Sequence, residues 1–105
     1  MPDFNKIFEQ AQQMQARMQQ VQSELEKQTV AAAAGGGMVS VEADGKGTIT
    51  RVKIDPSVAD PKDVEMLEDL ILVAVNEAQK KAAELAKSEM SRLAGGLNLP
   101  FKLPF

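Results

Sequence analysis

The centre of the chain reads MVSVEADGKGTITRVKI, from Met38 to Ile54, and has the pattern of a β-hairpin. Apolar and polar residues alternate in its first half and β-branched residues crowd its second half, as in strands with one buried face. The turn signal between the halves runs from Asp44 to Gly47. The preceding segment, Thr29 to Gly37, ends in three glycines and adds at most one short extended piece. We therefore predict a small antiparallel sheet of two to three strands within residues 29–55.

Long helices are predicted on both sides of this sheet. Residues 3–28 place apolar side chains at alternating steps of three and four, from Phe4 to Leu25, which is the a/d seam of a coiled coil. Residues 61–94 also have helical periodicity, and Asp60 and Pro61 suit the N-cap and the first helical position.

The second helix is predicted to stop at Gly95-Gly96, because glycine commonly ends a helix. Residues 95–105 then form a tail in which Leu and Phe are punctuated by prolines. We expect this tail to dock against another surface or to wait for a partner. The whole chain, residues 1–105, is thus predicted to be one α+β domain with a long N-terminal helix, a small sheet and a long C-terminal helix.

The composition argues against an enzyme. The 105 residues contain no Cys and no His, which excludes thiolate and imidazole nucleophiles, bases and metal ligands. The two glycine-rich turns do not match a phosphate-binding loop. Acidic residues gather at the start of the second helix, where helix N-termini favour them, and they lack the spacing of a calcium loop. We expect no catalysis, no cofactor, no metal and no small-molecule substrate.

The start of the chain carries no targeting signal. The residues Met1-Pro2-Asp3-Phe4 form neither a basic nor an apolar signal region. No apolar run approaches the roughly 18–20 residues of a membrane span. We expect a soluble protein of the cytoplasm without a membrane partner.

A sheet this small cannot cover two long helices. The second helix alone would be on the order of 50 Å long at about 1.5 Å per residue, so both helices must project beyond the sheet. Because the projecting parts carry apolar seams, we expect the helices to lie antiparallel against each other. The sheet keeps an open edge and an open face. We predict a symmetric homodimer that associates through the β-sheet.

The net charge of −3 hides an uneven distribution along the chain. Residues 21–79 contain eleven acidic and five basic residues, whereas residues 80–105 contain two acidic and five basic ones. Antiparallel helices would therefore share a basic surface at their distal end that could contact phosphates. The plainer interpretation is a solvated helix face with ordinary i,i+4 ion pairs. The candidate DNA-binding residues are Lys6, Arg17, Lys80, Lys81, Lys87 and Arg92.

Five short segments stand out when the chain is taken as a whole. They are Gln10 to Gln15, Gly37 to Val41, Val52 to Pro56, Met66 to Leu70 with Asn76 to Ala78, and Phe101 to Phe105. In these segments, and in their order and spacing, the chain resembles the YbaB/EbfC family of nucleoid-associated DNA-binding proteins. None of them is a catalytic signature.

The resemblance implies a tweezer-like homodimer in which the β-sheets form the body and the helices project as arms. It also implies that the arms bind duplex DNA, with a role in nucleoid organisation and gene regulation. The basic residues that match the arms are Arg17, Lys80, Lys81, Lys87 and Arg92, with Lys6 near the tip. The alternative is a prefoldin-like protein-binding or chaperone module, because the order helix, hairpin, helix and a Met-rich seam also suit coiled-coil arms that hold proteins.

Overall fold

The computed structural model describes residues 3–96. In chain order the elements are α1 (Phe4–Lys27), β1 (Thr29–Ala34), β2 (Val39–Asp44), β3 (Ile49–Ile54), a 3-10 turn (Pro56–Val58) and α2 (Val64–Gly96). The strands form one antiparallel sheet in the order β1-β2-β3. The predicted α+β fold is confirmed, and the sheet has three strands.

The core lies between one face of the sheet and α2. Alternate residues of β2, Val39, Val41 and Ala43, are fully buried there, as expected from side chains that point to opposite faces of a strand in turn. They belong to one cluster with Ala74 and Ala78 of α2, which are also fully buried. The small alanine side chains let the helix backbone lie close to the sheet, and apolar burial is what holds the two layers together.

The triple glycine forms the turn between β1 and β2. Gly35, Gly36 and Gly37 have φ angles of 64°, 68° and 92°, which lie in the left-handed region that favours glycine. A Cβ atom added to Gly35 would also lie 2.9 Å from Cδ2 of Leu70. Glycine is therefore required at position 35 both by the backbone conformation and by the close approach of α2.

The predicted start of the second helix is wrong by three residues. Asp60 does not cap the helix. Its carboxylate accepts a hydrogen bond from the backbone N–H of Lys62 at 2.9 Å, within a turn that precedes the helix. The N–H of Asp63 donates to the carbonyl oxygen of Asp60 at 3.0 Å and closes this turn. The carboxylate of Asp63 in turn accepts the N–H of Met66 at 3.2 Å. The helix consequently begins at Val64.

The far end of α2 also differs from the prediction. The helix includes both Gly95 and Gly96 and runs two residues past the expected stop. The remainder of the predicted tail, residues 97–105, lies outside the described residues.

The two helices pack side by side and extend well beyond the sheet. In α1, Met14, Met18 and Val21 are half-buried and Leu25 is buried, so the predicted seam packs from Met14 onward, whereas its earlier part is exposed. In α2, half-buried positions continue past the sheet as far as Leu93. The Cα radius of gyration is 19.7 Å, against about 13 Å for a compact chain of this length. We call α1 together with α2 from Gln79 onward the arm, and the sheet together with the earlier turns of α2 the body.

The turn between β2 and β3 holds the arm to the body. The N–H of Gly45 donates to the carbonyl oxygen of Leu25 at 2.8 Å. Nζ of the next residue, Lys46, lies 3.0 Å from Oε1 of Glu26. On the other side of the turn, Nε2 of Gln79 donates to the carbonyl oxygen of Gly47 at 3.2 Å. The turn therefore contacts α1 at its end and α2 near its middle.

Candidate functional site

Two of the predicted basic residues form an exposed row on α2. Lys80 and Lys87 are seven residues apart, which is close to two helical turns, so both lie on one side of the helix. Lys80 is two residues past the fully buried Ala78, and a step of two residues leads to the opposite side of a helix. We call Lys80 and Lys87 the lysine row. Because both are exposed, they can approach a polyanion without disturbing the packing.

A second basic pair lies on α1. Lys6 and Arg17 are both exposed and eleven residues apart, about three turns, so they also share one side of their helix. Near the tip, the carboxylate of Asp3 caps the helix by accepting the N–H of Lys6 at 3.3 Å, and Glu9 follows three residues later. Acidic and basic residues therefore nearly balance at the tip of α1.

Arg92 lies at the distal end of α2 beside an acidic neighbour. Its Nη1 atom is 3.7 Å from Oε1 of Glu89, one turn earlier. The guanidinium is mostly exposed whereas the carboxylate is mostly covered. A surface pair of this kind contributes about 0–1 kcal/mol, so the guanidinium can exchange this partner for a phosphate at little cost.

Lys81 has a different environment from the lysine row. Its Nζ atom donates to the backbone carbonyl oxygen of Ala31 at 2.8 Å, and Ala31 belongs to β1, an edge strand of the sheet. Lysine beside an edge strand is a common protection against pairing with a further strand. Lys81 thus joins α2 to the body, which spacing in the sequence does not reveal.

This contact predicts different effects for two neighbouring lysines. Lys81→Gln is expected to lower the free energy of unfolding by about 1 kcal/mol, because a hydrogen bond from a charged group to Ala31 is lost. Lys80→Gln is expected to leave stability unchanged within about 0.5 kcal/mol, because Lys80 is exposed and makes no such contact with the described part of the chain. Urea titration of both variants measures the difference. Equal stability would mean that the contact with Ala31 contributes nothing.

The face of the sheet that α2 does not cover carries two basic residues that were not predicted as site residues. Arg51 and Lys53 of β3 are exposed and, with Ser40 and Glu42 of β2, line a shallow cavity of about 230 Å³. Arg51 and Lys53 alternate with apolar Val52 in the sequence, and this alternation could have indicated that both lie on one face of the strand. The carboxylate Glu42 is the register partner of Arg51, so this face carries both signs of charge.

Asp55 follows Lys53 at the end of β3. Its pKa is lowered mainly because its carboxylate accepts the backbone N–H of Ser57, with further hydrogen bonding from the Ser57 side chain and the positive charge of Lys53 nearby. The carboxylate is the N-cap of the 3-10 turn. Asp55 therefore has a structural role as a cap. Lys53 remains an exposed basic residue on the open face of the sheet.

The arrangement within residues 3–96 does not resemble a catalytic or metal centre. In this part of the chain no group of three or more acidic, His or Cys side chains could hold a metal ion. The acidic residues at the start of α2 are spread along its first turns instead. None of the described helices is long and apolar enough to span a membrane. What the geometry offers is an elongated arm with basic side chains along its sides.

Comparison with known proteins agrees with this geometry. Residues 1–97 match the sequence model of the YbaB/EbfC DNA-binding family. A nucleoid-associated protein of Gemmatimonas aurantiaca is 52% identical over 103 residues, covering 98% of this chain and 99% of that one. One from Clostridium novyi is 53% identical over 98 residues, covering 93% and 86%. The crystal structure of an uncharacterized protein from Helicobacter pylori superposes with a TM-score of 0.82 at 25% identity, covering 90% of this chain and all of that one.

These matches decide between the two expectations from sequence. They point to DNA binding and not to an enzyme. The match extends over both helices and the sheet, so it covers the body as well as the arm. The chain belongs to the YbaB/EbfC DNA-binding family.

Proposed function

We propose that this protein binds duplex DNA as a homodimer through its arms, as a nucleoid-associated protein of the bacterial cytoplasm. The observation that supports this best is the lysine row, which lies on the side of the arm opposite its packed seam. A row of this kind suits phosphate contacts, because both cations face outward and neither has an ion-pair partner to give up within residues 3–96. Contacts of this type carry little sequence information, which fits organisation of the nucleoid and broad effects on gene expression.

The proposed dimer uses the β3 edge of the sheet, because the two edges differ. Beside β1, the Lys81 side chain occupies the carbonyl of Ala31. On the side of β3 that faces α2, an apolar side chain is left open: Val52 is 45% exposed although it is the register partner of the fully buried Val41. Large apolar side chains left half-exposed at a strand edge suit an interface between copies.

A residue of α2 extends this apolar surface. Gln79 contacts the β2–β3 turn through Gly47, and Leu72 lies seven residues, or about two turns, earlier on the same flank of the helix. Leu72 is 59% exposed. Two copies related by a two-fold axis would pair their β3 strands antiparallel and bury Leu72 and Val52 from both sides.

The dimer predicts a solution mass of about 22.6 kDa, twice the 11.3 kDa of the chain. Light scattering at micromolar concentration measures it. Leu72→Asp is expected to give the monomer mass, because the carboxylate would be buried unpaired in the interface. Leu72 is exposed in the single chain, so the variant chain has no reason to lose its own core.

The matched control is the next residue. Val73 is 56% exposed but lies seven residues before Lys80, on the side of the lysine row. Val73→Asp should therefore leave the mass unchanged. A monomeric parent protein would contradict the dimer, and an equal loss of dimer in both variants would move the interface away from the β3 flank.

DNA binding itself is tested by titrating a labelled duplex at increasing salt concentration. We expect the logarithm of the association constant to fall linearly with the logarithm of the salt concentration, because phosphate contacts release counterions. Random and AT-rich duplexes of equal length should differ little if the contacts are to the backbone. Failure to bind DNA together with suppression of aggregation of a denatured client protein would support the prefoldin-like function instead.

A further inference from the structure

The tip of α1 carries three large apolar side chains that the described residues leave uncovered. Phe4, Ile7 and Phe8 are 75%, 56% and 64% exposed. Ile7 lies two turns before Met14, so it continues the seam that packs against α2 further along the arm. We call Phe4, Ile7 and Phe8 the tip patch. An exposed apolar cluster in line with a packed seam indicates that something else covers it.

The tip patch is uncovered because α2 ends before it. Leu25 lines a cavity together with Gln79, Ala83 and Ala86, so this part of α1 lies level with residues 79–86 of α2. Counting outward along both antiparallel helices at about 1.5 Å per residue places Gly96 roughly level with Ala11. The half-buried positions of α1 accordingly begin only at Met14.

The chain that continues from this point has a composition that suits the tip patch. Nine residues follow Gly96, and positions 97, 99, 101, 103 and 105 are Leu or Phe. Strict alternation gives an extended segment one apolar edge, and Pro100 and Pro104 oppose continuation of the helix.

Length and charge also fit. The tip patch extends about 10 Å beyond Gly96 at the rise of an α-helix, whereas nine extended residues reach about 30 Å. The segment contains one charged residue, Lys102, and the tip of α1 contains the acids Asp3 and Glu9. The apolar edge of the segment can therefore contact the tip patch, and Lys102 can pair with an acidic residue at the tip of α1.

We propose that residues 97–105 of the same chain dock along the tip patch and complete the seam of the arm where α2 ends. The segment takes the place of the missing turns of α2 and covers Phe4 and Phe8. This docking involves no DNA and does not depend on the proposed dimer. It removes a hydrophobic cluster from the end of the arm, where it would otherwise associate with the arms of other molecules.

The absence of cysteine makes the proposal testable by cross-linking. A chain with Phe8→Cys and Leu99→Cys, treated with a short bismaleimide in the absence of DNA, is expected to run on a denaturing gel at the monomer mass as an internally cross-linked species. Digestion and mass spectrometry identify the joined peptides. The matched control pairs Leu99→Cys with Gln10→Cys, which lies two residues and about 200° around α1 from Phe8 and should cross-link at least about fivefold less.

A second measurement removes the proposed docking segment and requires no cross-linking. Residues 97–105 belong to none of the described elements. Removing them is expected to raise the fluorescence of a bound hydrophobic dye several-fold. Adding Phe4→Ser and Phe8→Ser to the shortened chain should abolish the increase. Cross-links only at the dimer mass, equal cross-linking of the control pair, or unchanged dye binding after truncation would each overturn docking on the chain's own tip.

Discussion

Changing Lys80 and Lys87 together to Glu is expected to weaken duplex binding by more than tenfold at moderate salt. Each lysine that contacts a phosphate contributes about 0.9 to the slope of log affinity against log salt concentration. The double variant should therefore have a slope smaller by about 2 for each protomer that contacts the DNA. Both residues are exposed on the outer side of α2, so stability should stay within about 1 kcal/mol of the parent. Fluorescence anisotropy with a labelled duplex over a salt series measures affinity and slope together.

The matched control makes the same charge change on the body. Lys46 and Lys62 are exposed and lie outside the arm. Changing both to Glu removes the surface pair with Glu26 and replaces it with a like-charge repulsion, which at an exposed position is also small. This control should lose affinity only through the weaker long-range field of the protein. An equal loss of DNA affinity in the control would mean that the arm variant binds more weakly only because its net charge is more negative. Unchanged binding by the arm variant would move the site elsewhere, and Arg51 with Lys53 on the open sheet face would be tested next.

Gly45→Ala is expected to produce the largest loss of stability from a single added methyl group. A Cβ atom at this position would lie 2.7 Å from the carbonyl oxygen of Leu25 and 3.1 Å from its Cα atom. These are backbone atoms and cannot turn aside as a side-chain end can. Overpacking of this kind costs about 1–3 kcal/mol, and the hydrogen bond from the N–H of Gly45 to the same oxygen would be strained as well.

Chemical denaturation followed by circular dichroism measures this cost. Lys46→Ala is the matched control, because it changes the neighbouring residue and removes only the surface ion pair with Glu26. That pair is worth about 0.2–1 kcal/mol, so the control should unfold near the midpoint of the parent. A Gly45→Ala protein as stable as the control would show that the end of α1 can move away from the turn without cost.

Much of the fold could be predicted because its signals are local. The alternation from Val39 to Ala43 identified the strand at the centre of the core, and the steps of three and four in α1 identified the side that packs on α2. The start of α2 was harder, since Asp60 and Asp63 have equally suitable side chains for a cap. Only the turn that forms around Asp60 decides in favour of Asp63.

The candidate site divides in the same way. Lys80 and Lys87 could be placed on one side of a helix from their spacing alone. The contact of Lys81 with Ala31 joins residues fifty positions apart, and no local pattern reports such a pair. Arg51 and Lys53 alternate with Val52 and could have been placed on the open face, but only the folded sheet shows that they line one cavity with Ser40 and Glu42 of the neighbouring strand.

Periodicity, turn residues and composition were thus sufficient for the order of the elements, for the packed sides of helix and strand, and for the exclusion of Cys and His chemistry. These properties follow from each residue and its near neighbours, so the linear chain contains them. Tertiary contacts decided the rest: which lysine contacts the body, which edge of the sheet stays open, and how far α1 extends past α2. Those contacts depend on distances between segments far apart in the chain, which form only when the sheet and both helices pack together.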